Sequence, residues 1–291
     1  MSNRIIAVLV TYHPDLDHIR KVVLNLSNQG VELCIVDNSP YDIGKVDEHI
    51  QVFKLGENKG IAFAQNLGMK WAFEEKDAKF VLQMDQDSIP DENLVVNLLE
   101  GYEFLVDRKY EVGLIGAQDI DKDSLVASQA KINKGKVLEG MDNLIHVNEV
   151  LSSGSLIPKH TYEKVGKLDD KLFIDLVDFE YCWRIASNDL LVVKNTKAVI
   201  YHKLGEGSVK ILGLISVGLP RPFRHYYSVR NSVYLILYGQ APIFWKVSNT
   251  FKILFKLLVY PIALPQGRER SQFIWRGFRD GVNRRFRIIN A

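Results

Sequence analysis

The 291-residue sequence predicts an α/β protein: a mostly parallel, mixed sheet with helices on both faces, followed by a basic helical extension. Three observations predict it. Short apolar runs alternate with helix-like segments through the first half, the pattern of parallel strands joined by crossover helices. Polar residues cluster directly after each run, where open α/β sheets bind ligands. The charge also divides: from Pro220 onward there are thirteen Lys/Arg and two acids (+11), leaving 24 Lys/Arg against 33 acids (−9) before it.

The elements follow in order. Ile5–Tyr12 is a buried run, and Asp17–Asn28 after it is amphipathic. Glu32–Val36 is a second strand closing on Asp37-Asn38-Ser39, and Val52–Leu55 a third, followed by Asn58-Lys59-Gly60 and a helix reaching about Glu75. Phe80–Met84 and Val112–Ala117 read as the fourth and fifth strands. Residues 119–147 are polar and irregular. Glu149–Pro158 resumes an apolar strand whose small residues, Ser153 and Gly154 among them, leave room for a ligand; Val192–His202 is the last strand of the body. The expected boundary is Gly205–Gly218, where charge changes sign, which divides the chain into 1–212 for the body and 213–291 for the basic extension.

Composition limits the function. The body is acidic, which disfavours nucleic acid as a partner. Cys34 and Cys182 lack metal-ligand spacing, which fits a reduced, cytoplasmic protein. The N-terminus does not read as a signal peptide, its apolar run being only Ile5–Val10. The first strand leads into Thr11-Tyr12-His13-Pro14 and not into a Gly-x-Gly-x-x-Gly turn, which disfavours a dinucleotide-dependent oxidoreductase.

The strand at 80–84 ends in Asp85-Gln86-Asp87. Two hard carboxylates there suit Mg²⁺ or Mn²⁺, and such an ion suits a diphosphate; a polar turn is the other reading of the same residues. Thr11-Tyr12, Asp37-Asn38, Asn58–Gly60 and Asp85-x-Asp87 should all line one rim of the sheet. Asn58-Lys59-Gly60 either turns backbone N–H groups toward an anion at a helix start or supplies a plain N-cap through Asn58.

The motifs VTYHPD (10–15), VDNS (36–39), ENKGIAFAQNLGM (57–69), DQDS (85–88), SSGSLIP (152–158), LFIDLVDFEYCWR (172–184), HKLG (202–205) and RHYYSVRNSVY (224–234) run in the order found in family 2 glycosyltransferases of the GT-A fold. Across nearly its whole length the chain resembles these enzymes, and among them the bacterial rhamnosyltransferases. The resemblance implies that Thr11 and Tyr12 flank the base of a nucleotide-sugar, that Asp37 accepts from a pyrimidine N3–H with Asn38 beside it, and that Asn58, Lys59, Gly60 and Gln86 belong to the same donor site. A carboxylate at Asp37 favours uracil or thymine over cytosine. By the same resemblance Asp85 contacts the ribose, Asp87 binds the metal and His202 completes the metal or diphosphate site. Asp178 falls on the family's catalytic aspartate, although Val177 stands where many relatives carry Glu and Glu180 where they carry Asp. Asp175, three residues before it, competes for that role; the acidic start of a helix would equally explain Asp175. Ser153, Gly154, Asp175 and Glu180 are expected on the acceptor side.

Arg224, Tyr227, Arg230 and Asn231 form an Arg-x-x-Tyr-x-x-Arg-Asn pattern, the first three able to share a helix face. They could reach a diphosphate or an acceptor's phosphate, with Arg230 assigned to the donor. Ile243–Pro265 carries Lys246, Lys252 and Lys256 among apolar residues and reads as a helix lying on a membrane; packing against a partner subunit, a second copy included, is the alternative. The expectation is therefore an inverting, metal-dependent transfer of L-rhamnose from dTDP-L-rhamnose to a lipid-linked oligosaccharide at the inner face of the membrane, in polysaccharide assembly. Other donors (UDP-galactofuranose, UDP-glucose, UDP-N-acetylglucosamine) would use the same rim, and a non-catalytic membrane-surface scaffold is the rival from another class.

Overall fold

The computed structural model describes residues 4–47, 50–127, 135–202, 208–211 and 215–289. The chain divides into two compact units, one comprising Met1–Asp170 with Tyr181–Lys203, the other Lys171–Glu180 with Leu204–Ala291. The boundary expected at 212/213 lies outside the described residues.

In the first unit, β1 (Ile5–Thr11), α1 (Leu16–Asn28), β2 (Glu32–Asp37), β3 (Gln51–Lys54) and α2 (Ile61–Lys70) alternate as the pattern requires. Asp15 caps α1, its side chain accepting from the N–H groups of Asp17 and His18. A π-helical turn, Trp71–Glu75, extends α2. There follow β4 (Phe80–Asp85), β5 (Ile89–Pro90), α3 (Leu94–Asp107), β6 (Val112–Asp121), β7 (Lys136–Val137), β8 (Leu144–His146), β9 (Ser155–Pro158), α4 (Lys159–Val165), and later β10 (Leu191–His202). The sheet order is β3-β2-β1-β4-β9-β6-β10-β8-β7, with β5 pairing β10.

The run β3-β2-β1-β4 is parallel throughout. Beyond it the sheet turns mixed: β9 lies antiparallel to both β4 and β6, while β6 and β10 are parallel. One face packs Leu9, Ile35 and Leu82 against Ile19 and Leu26 of α1 and Leu94 and Leu98 of α3. On the other face α2 approaches so closely that a Cβ at Gly68 would run into the Val8 side chain. The described residues between 119 and 147 are more regular than their polarity suggests, since β6 runs on to Asp121 and β7 and β8 add an antiparallel edge. The strand expected over 149–158 is shorter. It begins only at Ser155, because Gly154 adopts φ +75 and turns the chain just before it.

In the second unit a two-stranded ribbon, β11 (Ser208–Ile211) and β12 (Ile215–Gly218), precedes three helices, α6 (Arg224–Tyr238), α7 (Ile243–Ala263) and α8 (Gly267–Val282). Val229, Val233, Ile253, Tyr260, Leu264 and Ile274 form its core. Helix α5 (Val177–Ser187) begins in this unit and ends in the first. Helices α6 and α8 meet through small residues: a Cβ at Gly277 would stand 2.5 Å from the Tyr226 carbonyl oxygen, and one at Gly281 would stand 2.6 Å from that of Arg230. Gly277→Ala should therefore destabilise the protein. The gain in helix propensity, about 1 kcal/mol, is outweighed by an overpacking cost of about 1–3 kcal/mol, readable as a lowered Tm.

Candidate active site

The rim of the first unit is set by strand register. Thr11 pairs with Asp37 across β1 and β2, and Val10 with Asp85 across β1 and β4, so the three strands deliver their polar ends within one residue of each other. Asp37 is buried. Its Oδ1 accepts from Thr11 Oγ1 at 2.7 Å and from Ser39 Oγ at 2.8 Å, while Oδ2 is buried with no hydrogen-bond partner among the described residues. An unsatisfied carboxylate oxygen is costly without a donor, so this atom marks a place for an N–H or O–H from outside the protein. Ser39, which the sequence reading passed over, also accepts from His13 N at 2.9 Å.

Asn38 links this rim to the turn before α2. Its backbone N–H donates to Thr11 O at 2.8 Å, and its side-chain oxygen accepts from Lys59 N at 3.1 Å. Asn58 Oδ1 accepts from Gly60 N at 3.0 Å. Asn58 is thus an Asx turn and not the N-cap: Gly60 occupies that position with φ 87, which glycine tolerates and other residues resist. Lys59 is held beside Glu57 (3.4 Å) and over the Phe63 ring.

Gln86 ties the ends of β1 and β4 by a two-point bridge, accepting from Tyr12 N at 2.7 Å and donating to Tyr12 O at 3.1 Å. It therefore shapes the rim from below the exposed Tyr12 ring. Asp85 N donates to Ser153 Oγ at 3.1 Å, and that hydroxyl donates to Ser88 Oγ at 2.7 Å. Asp87 is exposed. Beyond it, β5 pairs antiparallel with β10, Ile89 opposite Tyr201, so the next residue of β10, His202, stands across from the end of the Asp-x-Asp turn. His202 Nδ1 is buried and has no hydrogen-bond partner among the described residues. The Lys203-Leu204-Gly205 part of its motif lies outside the described residues.

Ser153 and Gly154, expected to face an acceptor, have another part. Both are buried, Ser153 supporting Asp85 while Gly154 donates to Gln83 O at 2.9 Å and accepts from Ala117 N at 3.0 Å. They stitch β4 to β6.

Among the described residues no group of three His, Cys, Asp or Glu side chains is close enough to form a ready-made metal site. Mg²⁺ needs none, being held commonly by one or two carboxylates with substrate phosphates and water. The exposed Asp87 carboxylate and the orphaned His202 nitrogen fit a partial site of that kind.

In the second unit Asp178 lies in the first turn of α5, partly buried, with Oδ1 accepting from Phe179 N at 2.9 Å. Glu180 is in the same turn and also partly buried. Asp175 is engaged by Arg224 at 2.7 Å. Arg230, expected at the donor, is completely buried. Nε donates to Asn231 Oδ1 (2.9 Å), Nη1 to Arg287 O (3.1 Å), and Nη2 to Lys171 O (3.0 Å) and Leu172 O (2.7 Å). Its donors are turned to the Asn231 side chain and three backbone carbonyls and it is fully buried, so it contacts no ligand from this position. Burial lowers its pKa, a cost the three carbonyls and the rings of Tyr226, Tyr227 and Phe286 offset.

Comparison with known proteins matches these features. Residues 7–108, from β1 through α3, match the family described as Glycosyl transferase family 2. The dTDP-rhamnosyl transferase RfbF of Shigella flexneri is 30% identical over 288 residues, covering 94% of this chain and 93% of the relative. Among solved structures, S. aureus TarS 1-349 aligns over 97% of this chain and 82% of its own with a TM-score of 0.59 at 14% identity. GalNAc-T7 with UDP, GalNAc and Mn²⁺ aligns over 94% of this chain and 55% of its own with a TM-score of 0.61 at 14% identity. At such identities these structures establish the fold, GT-A, while the Shigella relative matches nearly end to end. With a rim of polar strand ends on that fold and a relative matched over almost its full length, the chain belongs to the family 2 glycosyltransferases.

Proposed function

We propose that this glycosyltransferase moves L-rhamnose, with inversion, from dTDP-L-rhamnose to a hydroxyl of a saccharide acceptor. The near full-length similarity to a dTDP-rhamnosyl transferase carries the reading. The half-satisfied Asp37 carboxylate supports the nucleotide part, since its buried Oδ2 has the one chemistry that pairs with the N3–H of thymine. Thr11 and Ser39 hold the other oxygen, so the carboxylate is oriented before the donor arrives. Tyr12, propped by Gln86, and Asn38 with the Asn58–Gly60 turn complete the nucleoside side; Asp85 is assigned to the ribose.

A divalent cation, Mg²⁺ or Mn²⁺, bound with the diphosphate at Asp87 and His202 would neutralise charge on the departing dTDP. Asp178 acts as general base. It takes the proton of the acceptor hydroxyl as that oxygen attacks the anomeric carbon, while the carbon–oxygen bond to the diphosphate breaks and dTDP leaves. Asp175, neutralised by Arg224, is less available for the task. Glu180 stays assigned to the acceptor side.

We place the enzyme at an anionic membrane surface, where a lipid-linked oligosaccharide would be reached. Among the described residues no helix is long and apolar enough to cross a membrane. Yet α7 exposes Ile243, Val247, Phe251, Leu254, Leu258 and Ile262, spaced as one stripe along the helix. The three lysines of this helix do not line that exposed stripe. Lys246 and Lys256 turn to Gly239 O (2.9 Å) and Ser228 Oγ (3.1 Å), and only Lys252 stays exposed. Between residues 219 and 289 seven cations are exposed (Arg221, Lys252, Arg268, Arg279, Arg284, Arg285, Arg287) against one acid, Glu269. That excess attracts anionic lipid and opposes pairing of two copies through the same region.

Three outcomes are expected. Given a panel of nucleotide-sugars with saccharide acceptors and Mg²⁺ or Mn²⁺, the enzyme should release dTDP from dTDP-rhamnose; release of UDP alone would overturn the donor assignment. Asp178→Asn should lower kcat by about 10²–10⁴-fold, the usual worth of a general base, with donor KM little changed, whereas Asp175→Asn should not. The reverse ranking would move the base to Asp175. The protein should float with phosphatidylglycerol-containing vesicles at low salt and not with phosphatidylcholine alone. Phe251→Asp with Leu258→Asp should abolish flotation, and a dimer that these changes dissolve would point to a second copy instead.

A further inference from the structure

The segment leading into α5 has an unusual backbone. Phe173, Asp175 and Leu176 have φ of +64, +67 and +66, the left-handed region that side chains with a Cβ resist. None is glycine, and the three fall within four residues, directly before the turn that carries Asp178. Strained backbone of this kind persists only where surrounding groups over-determine it, and it concentrates at functional sites.

The surrounding groups belong to α6. Asn231, fully buried, places its side-chain amide nitrogen, with two N–H donors, among three carbonyl oxygens, Leu172 O (3.0 Å), Ile174 O (2.8 Å) and Asp175 O (2.8 Å). Arg230 Nε donates to the Asn231 side-chain oxygen, which fixes which way that amide points, and its Nη2 binds the carbonyls of Lys171 and Leu172. Phe173 stacks on Tyr227 at 4.9 Å and 15°, and Arg224 holds the Asp175 carboxylate from the outer side. All four residues of the Arg-x-x-Tyr-x-x-Arg-Asn pattern thus touch this one loop, although Arg230 Nη1 and Tyr227 OH also donate to Arg287 O and Ile289 O. Glycine at 173, 175 and 176 would reach the same backbone without a buried guanidinium, whose desolvation is expensive. The chain instead combines strained side chains with a costly clamp, which makes the loop rigid and of one conformation.

We propose that Arg230 and Asn231 are positioning residues for catalysis: by tying the carbonyls of Lys171, Leu172, Ile174 and Asp175 they hold the strained loop and so set the place of Asp178 at the start of α5. The inference rests on Asp178 being the general base. A base must stand within hydrogen-bond reach of the hydroxyl it deprotonates, and small displacements are felt in kcat. Neither residue touches the donor, so donor binding should not register their loss.

The test uses the full chain with dTDP-rhamnose and a saccharide acceptor, and dTDP binding measured separately by calorimetry. Asn231→Ala should lower kcat at least tenfold while donor KM and dTDP affinity stay within about twofold. Adding Leu176→Gly, which adopts the left-handed conformation unaided, should restore part of kcat. Should Asn231→Ala fold poorly, Arg224→Gln loosens the loop from its exposed side and should lower kcat several-fold with Tm unchanged. The positioning role is overturned if kcat per dTDP-binding site is unchanged in these variants, or if donor affinity falls in parallel with kcat. Asp178→Asn separates the two readings. If it retains turnover, the assignment of the base has failed; if it is inactive while the clamp variants are normal, only the positioning role has.

Discussion

The donor side depends on the parallel ladder that joins β1 to β2 and β4. Parallel strands have their carboxyl ends on the same edge, and the observed register, Thr11 opposite Asp37 and Val10 opposite Asp85, ends β1 and β2 level and β4 one residue short of them. The Thr11 hydroxyl, the Asp37 carboxylate and the Asp-x-Asp turn therefore arrive together. Side-chain bonds refine what the backbone has set: Thr11 and Ser39 on Asp37, Gln86 across to Tyr12, Ser153 under Asp85. Burial of both apolar strand faces, against α1 and α3 on one side and α2 on the other, supplies free energy that holds the ladder, and a slip of one residue would exchange the side chains fitted to the two faces, Val8 under Gly68 among them.

Much of that ladder is legible in the sequence because it is local. Ile5–Tyr12, Glu32–Val36 and Phe80–Met84 are apolar runs with polar stops, and each strand lies within a residue of where its run lies. What was not legible depends on partners distant along the chain. Nothing near Ser155 announces that β9 inserts antiparallel between β4 and β6, or that Ser153 and Gly154 are consumed in making that insertion possible. Ser39 and Ser88 look like turn residues until Asp37 and Ser153 are found beside them. Arg230 misled for the same reason: an arginine in a transferase motif suggests a phosphate, and only its burial shows that its donors go to carbonyls some sixty positions away, at Lys171, Leu172 and Arg287.

The basic tail shows how a count of charges can be right while its arrangement is wrong. Its excess of cations was plain, and so was the amphipathic character of 243–265. Helical geometry then parts the lysines. With about 100° per residue, positions 246 and 252 fall some 120° apart, so the exposed side of α7 is a nearly pure apolar stripe, and the cations that surround it come from elsewhere in the unit.

Two kinds of physics thus position the proposed chemistry. The donor-side groups inherit their places from backbone hydrogen bonds, which every residue except proline can make, so that framework is indifferent to most side-chain changes at its edges. Asp178 inherits its place from side chains. The loop before it has no ladder to join and a backbone that its own residues disfavour, and it is held by one amide and one guanidinium from α6. A site fixed in this way is less tolerant of substitution, because the groups that hold it are few and none can be exchanged without leaving a buried carbonyl unpaired. It can also be set independently of the donor rim. The groups that fix the loop lie in α6, a helix that supplies none of the strand-end residues of the rim.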